Sequence, residues 1–121
     1  RHRPRERKTA GDRAQYGAQL KAGLQRLAEK YDRIGRVSGA GLFAIVDVMK
    51  SRESKEHDPD LASRVQNAMR EDGVLVGMEG KHDNFLKIRP PMPFASQHCE
   101  MLLDSMDRAF KREIDHQNVF A

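Results

Sequence analysis

The stretch Asn84-Phe85-Leu86-Lys87-Ile88-Arg89-Pro90-Pro91 predicts a short strand that stops abruptly. Leu86 and Ile88 point to one side of it and Lys87 to the other, which is the two-residue period of a strand. The prolines end the strand, because neither can donate to a ladder and Arg89 is held extended by the proline behind it. Lys87 and Arg89 are therefore two cations on one face of a stiffened strand end. That placement suits a carboxylate or phosphate ligand, although solvated charges on an edge strand would give the same pattern.

Length and composition indicate a single small domain. The 121 residues can build one modest core but not a cofactor-binding enzyme of ordinary size. No apolar run reaches the length of a membrane span, so no membrane contact is expected. Cys99 is the only cysteine and cannot form an internal disulfide, which fits a reducing compartment and a cytoplasmic location.

The basic character of the chain belongs to its first residues. Residues 1–8 hold five of the 22 Lys and Arg residues and one of the 18 Asp and Glu residues. The rest of the chain therefore has 17 residues of each sign. A basic tail can bind nucleic acid, but the neutral remainder has no basic stripe and few aromatic residues for stacking. We therefore expect residues 1–13 to be a disordered tail and disfavour nucleic acid as a partner.

Hydrophobic periodicity divides the chain into three helices and four strands. Apolar residues at three- and four-residue spacing predict helices, and alternating or continuous apolar runs predict strands. The predicted order is helix 9–31, strand 34–38, strand 42–49, helix 59–72, strand 74–76, strand 84–89 and helix 96–114, followed by a tail at 115–121. Strand pairs separated by helices predict an α+β fold with a small, mostly antiparallel sheet and helices packed on it.

Five glycines and one carboxylate carry local predictions. Gly39-Ala40-Gly41 precedes a strand instead of joining a strand to a helix, so we expect a tight bend or bulge rather than a phosphate loop. Gly17 and Gly23 mark close packing of the first helix, and Gly73 ends the second helix in the left-handed conformation. The run 42–49 is apolar except for Asp47, which predicts a central strand covered on both faces, with Asp47 paired or at the rim.

Three other reactive side chains are candidates for a functional site. His82 lies in the flexible loop 77–83 between two strands, and such loops often carry function. His57 has no metal-ligand partner at helical spacing, so no metal site is expected. Cys99 lies on the apolar face of the last helix with no histidine or cation beside it, so its thiol is expected to be inert.

Three stretches, taken in register, resemble the C-terminal segment of class III pyridoxal-phosphate-dependent aminotransferases. Residues 34–43 (IGRVSGAGLF) are similar to the family's I-G-x-V-R-G-x-G-L motif, and residues 68–76 (AMREDGVLV) to its helix followed by G-V-L. Residues 80–91 (GKHDNFLKIRPP) are similar to G-x-x-x-N-x-L-R-I-x-P-P. The last motif resembles most the branch that contains phospholyases acting on phosphoethanolamine and phosphohydroxylysine.

The resemblance implies that residues 14–114 are the small domain that closes over the active site of a preceding large domain, as in fold-type I pyridoxal-phosphate enzymes. An arginine in the family's R-I-x-P-P strand binds the substrate carboxylate, and Lys87 stands at that position. Lysine lacks the bidentate fork of arginine, so the substrate's anionic group stays open. The family's cofactor-binding lysine, aspartate and phosphate loop belong to the large domain. This chain alone is therefore expected to bind no pyridoxal phosphate and to be inactive.

The leading hypothesis is a small domain of a class III transaminase that contributes Lys87, Arg89 and His82 to substrate binding, with no catalytic, cofactor-binding or metal-binding residue of its own. Its partners would be the large domain of the same enzyme and a second subunit in a homodimer. One alternative is a phospholyase of the same family. Another is a free-standing α+β module that binds a protein or nucleic acid.

Two finer expectations accompany this hypothesis. A small domain without its large domain leaves an apolar patch exposed, and the first helix around Tyr16 and Leu20 is the predicted place. Arg89 is expected to lie beside a loop carboxylate such as Glu79 or Asp83.

Overall fold

The computed structural model of the protein describes residues 10–40, 43–89 and 96–119, which form three helices and one four-stranded sheet. In chain order the elements are α1 (Ala10–Lys30), β1 (Ile34–Ala40), β2 (Phe43–Val48), α2 (Pro59–Glu71), β3 (Val76–Glu79), β4 (Phe85–Ile88) and α3 (Ser96–Val119). Their number, type and order agree with the prediction from hydrophobic periodicity. The α+β fold class is confirmed.

The sheet is antiparallel throughout, with the strand order β1-β2-β4-β3. Helix α1 packs on β1 and β2, α2 packs on the other end of the sheet, and α3 packs against both of these helices. Residues that alternate along the strands are buried under the helices: Val37, Ala44, Val46, Val48, Val76, Leu86 and Ile88. The described part of the chain thus covers one face of the sheet and leaves the other face open.

The sheet departs from the prediction in how β2 and β4 are covered. β2 is a central strand, as expected, but only one of its faces is buried, and Phe43 on the other face is 39% exposed. β4 is also internal, since it pairs with both β2 and β3. The alternative of charges on an edge strand is therefore wrong for Lys87.

Two element boundaries lie further along the chain than predicted. β3 begins at Val76 rather than at residue 74, because the Val74 N–H donates to the Met69 carbonyl and so still belongs to the end of α2. α3 extends to Val119, five residues past its predicted end. A residue outside the helix binds its last turn, since the Arg33 guanidinium donates to the Gln117 side chain at 2.7 Å.

The close approach of another backbone at Gly39, the close packing at Gly23 and the left-handed Gly73 are confirmed, but Gly39 pairs with Ala44 inside β1 rather than forming a bend or bulge. A Cβ on Gly39, whose φ is +147°, would lie 2.5 Å from the Phe43 carbonyl oxygen, so a second backbone passes too close for any other residue. A Cβ on Gly23 would lie 2.2 Å from the Leu103 side chain, which reflects the close approach of α1 and α3. Gly73 follows α2 with a φ of +84°. Gly41 lies outside the described residues.

A buried ion pair ties the connector between β2 and α2 to the helices. Asp58 is the N-cap of α2, where its side chain accepts from the Leu61 N–H at 3.0 Å, and it is only 2% exposed. The Arg33 guanidinium lies 2.8 Å from the Asp58 carboxylate and also donates to the Met49 carbonyl. This pair fixes the connector beside the end of β2.

Candidate functional site on the open face of the sheet

The uncovered side of the sheet is the candidate site, and we call it the open face. Cross-strand pairing places its residues in rows that run across all four strands. They are Arg36 and Ser38 on β1, Phe43, Ile45 and Asp47 on β2, Phe85 and Lys87 on β4, and Gly77 and Glu79 on β3. The face therefore combines apolar side chains on β2 and β4 with a charged side chain on each of the four strands.

Lys87 stands in the middle of the open face. Its cross-strand neighbours are Ile45 on β2 and Gly77 on β3. Its ammonium group lies 3.3 Å from the Glu79 carboxylate and 5.1 Å from the centroid of the Phe43 ring. The side chain keeps 20% of its surface exposed. Lys87 is thus a cation held between a carboxylate and an aromatic face, and it remains partly open to solvent.

Arg89 lies one residue beyond the end of β4 and is exposed. Among the described residues no carboxylate pairs with it. The expectation that Glu79 or Asp83 would do so is wrong, because Glu79 pairs with Lys87 and Asp83 belongs to the hairpin at the opposite end of β4. The structure therefore places Lys87 and Arg89 near each other along the chain but in different surroundings.

His82 lies in the same hairpin, at the end of the sheet away from Arg89. Its ring stacks on that of His57, with the centroids 4.0 Å apart and the planes 15° from parallel. The structure thus brings His82 together with His57 rather than with the two cations. Its predicted role in substrate binding stays a prediction.

Asn84 anchors the hairpin through one buried amide. Its Nδ2 lies 2.6 Å from Asp47 Oδ1, 3.0 Å from the Val48 carbonyl and 3.1 Å from His57 Nδ1. Asp47 is therefore paired, as the sequence predicted. Burial raises the pKa of Asp47 above its ordinary value, although nearby His57, the Asn84 hydrogen bond and Arg36 act in the opposite direction.

Sequence reasoning missed the partners of the site rather than its central residue. Glu79 and Phe43 both contact Lys87, and His57 reaches the hairpin from a distant connector. Only the pairing register of β3 and β4 could have indicated the contact between Glu79 and Lys87. The register sets Glu79 opposite Phe85, which lies two residues before Lys87 on the same face. That register depends on β3 extending into the predicted loop, which the apolar pattern does not reveal.

Lys87 does not fit the lysine that would bond to pyridoxal phosphate. The cofactor needs a lysine free to bond to it and a group of backbone amides for its phosphate. Within the described residues, Lys87 is ion-paired and flanked by strands on both sides rather than by a helix N-terminus. We therefore do not assign Lys87 as a cofactor-binding residue. No group of three or more metal-ligating side chains occurs in this part of the chain either.

Comparison with known proteins relates the chain to a family. The sequence model of "Aminotransferase class-III" matches residues 6–110. The chain is 35% identical over 95 residues to an ethanolamine-phosphate phospho-lyase homolog of Caenorhabditis elegans, and the match covers 78% of this chain and 20% of that protein. The chain thus spans about a fifth of the length of this curated relative.

Two solved structures share the fold at similar levels of identity. A phospholyase from Arthrobacter in complex with phosphoethanolamine superposes with a TM-score of 0.78 and 35% identity, covering 83% of this chain and 24% of that one. An amine transaminase from an uncultivated Pseudomonas species, in the form with bound pyridoxal phosphate, superposes with a TM-score of 0.75 and 31% identity. That match covers 84% of this chain and 23% of the transaminase chain. In the described residues, none of the helices combines the length and apolar character that crossing a membrane requires.

Proposed function

Because the chain belongs to the class III aminotransferase family, we propose that it acts as the small domain of a pyridoxal-phosphate enzyme and that Lys87 binds the anionic group of the substrate. The observation that carries this proposal is the setting of Lys87 on the open face. An ammonium group in the middle of an exposed sheet surface, held by Glu79 and Phe43, is positioned before any ligand arrives. When bound in the enzyme, pyridoxal phosphate supplies the electron sink for chemistry at the substrate amine.

The surroundings of Lys87 define how an anion would reach it. On one side Gly77 presents no side chain, so the surface of β3 beside Lys87 stays open. Glu79 already neutralises the ammonium group at 3.3 Å, and an incoming anion competes with this carboxylate. A substrate that also carries an ammonium group can compensate Glu79 at the same time. The site therefore favours zwitterionic substrates, which amino acids and amino phosphates both are.

Arg89 and His82 have supporting parts in this proposal. Arg89 is exposed just beyond β4 and supplies a second positive charge near the end of the same strand. His82 would act from the hairpin at the other end, where its ring is already stacked on His57. We therefore rank Lys87 first, Arg89 second and His82 third in their expected effect on substrate binding.

The rest of the open face is the proposed contact with the large domain. Phe43, Ile45 and Phe85 form an apolar strip whose exposed or half-exposed side chains face away from the helices. The expected patch on α1 is not supported, because Leu20 is 1% exposed and belongs to the core. A homodimeric enzyme and a cytoplasmic location remain part of the proposal, to be tested by sedimentation and by cell fractionation.

A phospholyase is the second candidate function. Two of the similar proteins are named for phosphoethanolamine chemistry, and this chain has lysine where the family's carboxylate-binding arginine stands. Lysine is a point charge that suits phosphate without the paired geometry of a carboxylate. A transaminase would move the amino group of its substrate to a 2-oxo acid, whereas a phospholyase would release inorganic phosphate from phosphoethanolamine.

Steady-state kinetics of the full-length enzyme test the role of Lys87. Losing one charge-assisted hydrogen bond costs about 1.5–3 kcal/mol, so Lys87→Met should raise the KM for the anionic substrate by about one to two powers of ten. Arg89→Met should have a smaller effect, and Lys111→Met, on the exposed side of α3, is the matched control. An unchanged KM in Lys87→Met, with the fold intact, would remove Lys87 from the site.

The same assays separate the alternatives. Phosphate release from phosphoethanolamine supports the lyase, and amino transfer to a 2-oxo acid supports the transaminase. Neither reaction, together with salt-dependent binding of an oligonucleotide that is lost on removing residues 1–8, would support the free-standing binding module instead.

A further inference from the structure

A cleft at the β1 side of the open face is lined mainly by cationic side chains. It lies between β1 and the connector 50–57, which joins β2 to α2, and its volume is about 380 Å³. Arg36 of β1 and two connector residues, Arg52 and Lys55, contribute positive charges to its wall. Asp47 is the one carboxylate among the described residues that line it. We call this feature the basic cleft.

The backbone of Lys55 adopts a conformation that lysine rarely takes. Its φ of +59° lies in the left-handed region, where a Cβ is strained and where glycine or asparagine is the usual residue. The Lys55 N–H donates to the Ser51 carbonyl at 3.0 Å, which closes the turn that imposes this conformation. The Lys50 N–H closes the whole connector by donating to the Glu56 carbonyl at 2.8 Å. A strained residue held in this way indicates a functional role for its side chain.

The charges of Lys55 and Arg36 are not used within the part of the chain that the structure describes. Both side chains are exposed, and neither forms an ion pair with a described carboxylate. Arg36 lies opposite Asp47 in the register of β1 and β2, but the Asp47 carboxylate accepts from the Asn84 amide at 2.6 Å instead. Both cations therefore remain available to a ligand.

Arg52 is fixed in place before any ligand arrives. One nitrogen of its guanidinium, Nη2, donates to the Ala28 carbonyl and, at 3.2 Å, to the Tyr31 carbonyl, both at the end of α1. A positive charge is favourable there because the last carbonyls of a helix carry partial negative charge. Within the described residues its Nε and Nη1 make no hydrogen bond, so Arg52 can still donate into the cleft.

We propose that the basic cleft binds a phosphate group, either free phosphate or the phosphate monoester of a small molecule. Such a group carries a charge of about −1.5 to −2 at pH 7 and three strong acceptor oxygens. The three cationic side chains exceed the single carboxylate by two charges, which a phosphate dianion would neutralise. The cations also come from two separate elements, whereas a planar carboxylate is satisfied by one guanidinium fork. Glu53 and Glu56, the carboxylates of the connector, are exposed but do not line the cleft.

The basic cleft is separate from the position of Lys87. Arg36 and Asp47 face each other in one cross-strand row of the sheet. Lys87 belongs to another row, where it lies opposite Ile45, two residues from Asp47 along β2. The inference therefore goes beyond the proposed function and does not depend on it.

Nuclear magnetic resonance of the full chain, titrated with inorganic phosphate at constant ionic strength, tests the proposal. The amide signals of Arg36, Arg52 and Lys55 should shift along one saturable curve, and amides in the middle of α3 should not move. Chloride should give no saturable shift, because it lacks the directed acceptor oxygens of phosphate. Glycerol phosphate, a monoester without an amino group, is the second probe. If it binds more tightly than phosphate, the site is for a monoester, and the reverse order assigns it to free phosphate.

Two variants each remove one cation from the cleft. Lys55→Gly and Arg36→Met should each weaken phosphate binding about tenfold, as expected for the loss of one charge-assisted contact. Lys55→Gly also relieves the strained backbone, so it should unfold at the same or a higher urea concentration than the unmodified chain. Lys50→Met is the matched control, since Lys50 is an exposed lysine of the same connector that does not line the cleft.

Several results would overturn the inference. Shifts that do not saturate, or that chloride reproduces, would show that phosphate has no site in the cleft. Unchanged binding in both Lys55→Gly and Arg36→Met, or an equal loss in Lys50→Met, would show that net charge alone attracts the anion. Lys87→Met should keep the shifts in the cleft, and their loss would mean that phosphate binds at Lys87 instead.

Discussion

Replacing Asp58 separates two contributions that one buried carboxylate makes to stability. Its Oδ1 caps α2 through the Leu61 N–H, and its Oδ2 accepts from Arg33 at 2.8 Å. Asp58→Asn keeps the cap, because asparagine caps a helix as well as aspartate does, but it removes the charge that compensates Arg33. Asp58→Ala removes both.

The structure allows the two losses to be sized. Removing one partner of a buried ion pair costs about 3–5 kcal/mol when the remaining charge has no other compensation. Arg33 keeps 15% of its side chain exposed and also donates to the Met49 carbonyl and to Gln117, so Asp58→Asn should cost less, about 2–3 kcal/mol. Losing the cap adds about 1 kcal/mol, which predicts about 3–4 kcal/mol for Asp58→Ala.

Urea unfolding followed by circular dichroism measures these differences in the free energy of unfolding. Lys111→Ala is the control, since its pair with Asp115 is exposed and should contribute under about 1 kcal/mol. The reasoning is refuted if Asp58→Asn unfolds at the same urea concentration as the unmodified chain, or if the Asn and Ala variants lose equal stability.

Three further predictions follow from other parts of the structure. Gly39→Ala should lower the free energy of unfolding by about 1–3 kcal/mol, measured in urea, because its Cβ would lie 2.5 Å from the Phe43 carbonyl oxygen. Burial alone would raise the pKa of Asp107, but hydrogen bonds from Tyr31 and Lys30 hold that pKa below its ordinary value. The pKa of Asp107 is lower in the folded state than in the unfolded state, so Asp107 contributes stability above about pH 4 that is lost as the pH falls further. Tyr31→Phe should therefore lower the free energy of unfolding by about 1 kcal/mol at pH 7 and by less at pH 3, measured by urea unfolding at both pH values. Pyridoxal phosphate mixed with the chain should leave no bound absorbance after dialysis, and a stoichiometric band that survives would contradict this.

The helices and most strands could be predicted from the sequence because each has a local cause. The cap and proline at Asp58-Pro59 and the left-handed Gly73 define the limits of α2 without reference to the rest of the fold. The close backbone approach at Gly39 was predictable because glycine next to a strand indicates it, and Phe43 provides the second backbone. Lys87 stood out because prolines follow it closely.

The predictions from the sequence were wrong or incomplete where a contact between residues distant in the chain determines the structure. The apolar run of β2 predicted two covered faces, but Phe43 and Ile45 lie on a face that the described residues leave open. Val74 looked like the start of a strand, yet its N–H completes the end of α2 through Met69. The pairing of His57 with Asn84 joins residues 27 apart in sequence, and no local pattern predicts it.

Binding to a separate large domain tests most directly the claim that the open face of the sheet is what this chain presents to the rest of the enzyme. The measurement is calorimetric titration of the chain into the large domain of a class III aminotransferase produced without its small domain. Ile45→Ser removes an apolar side chain from the open face, and Met101→Ser removes one, 60% exposed, from α3 as a matched control. The unmodified chain and Met101→Ser should bind equally, and Ile45→Ser should bind about tenfold more weakly, as expected for a lost apolar contact of about 1.4 kcal/mol. Equal binding by Ile45→Ser, or loss of binding with Met101→Ser, would contradict the claim.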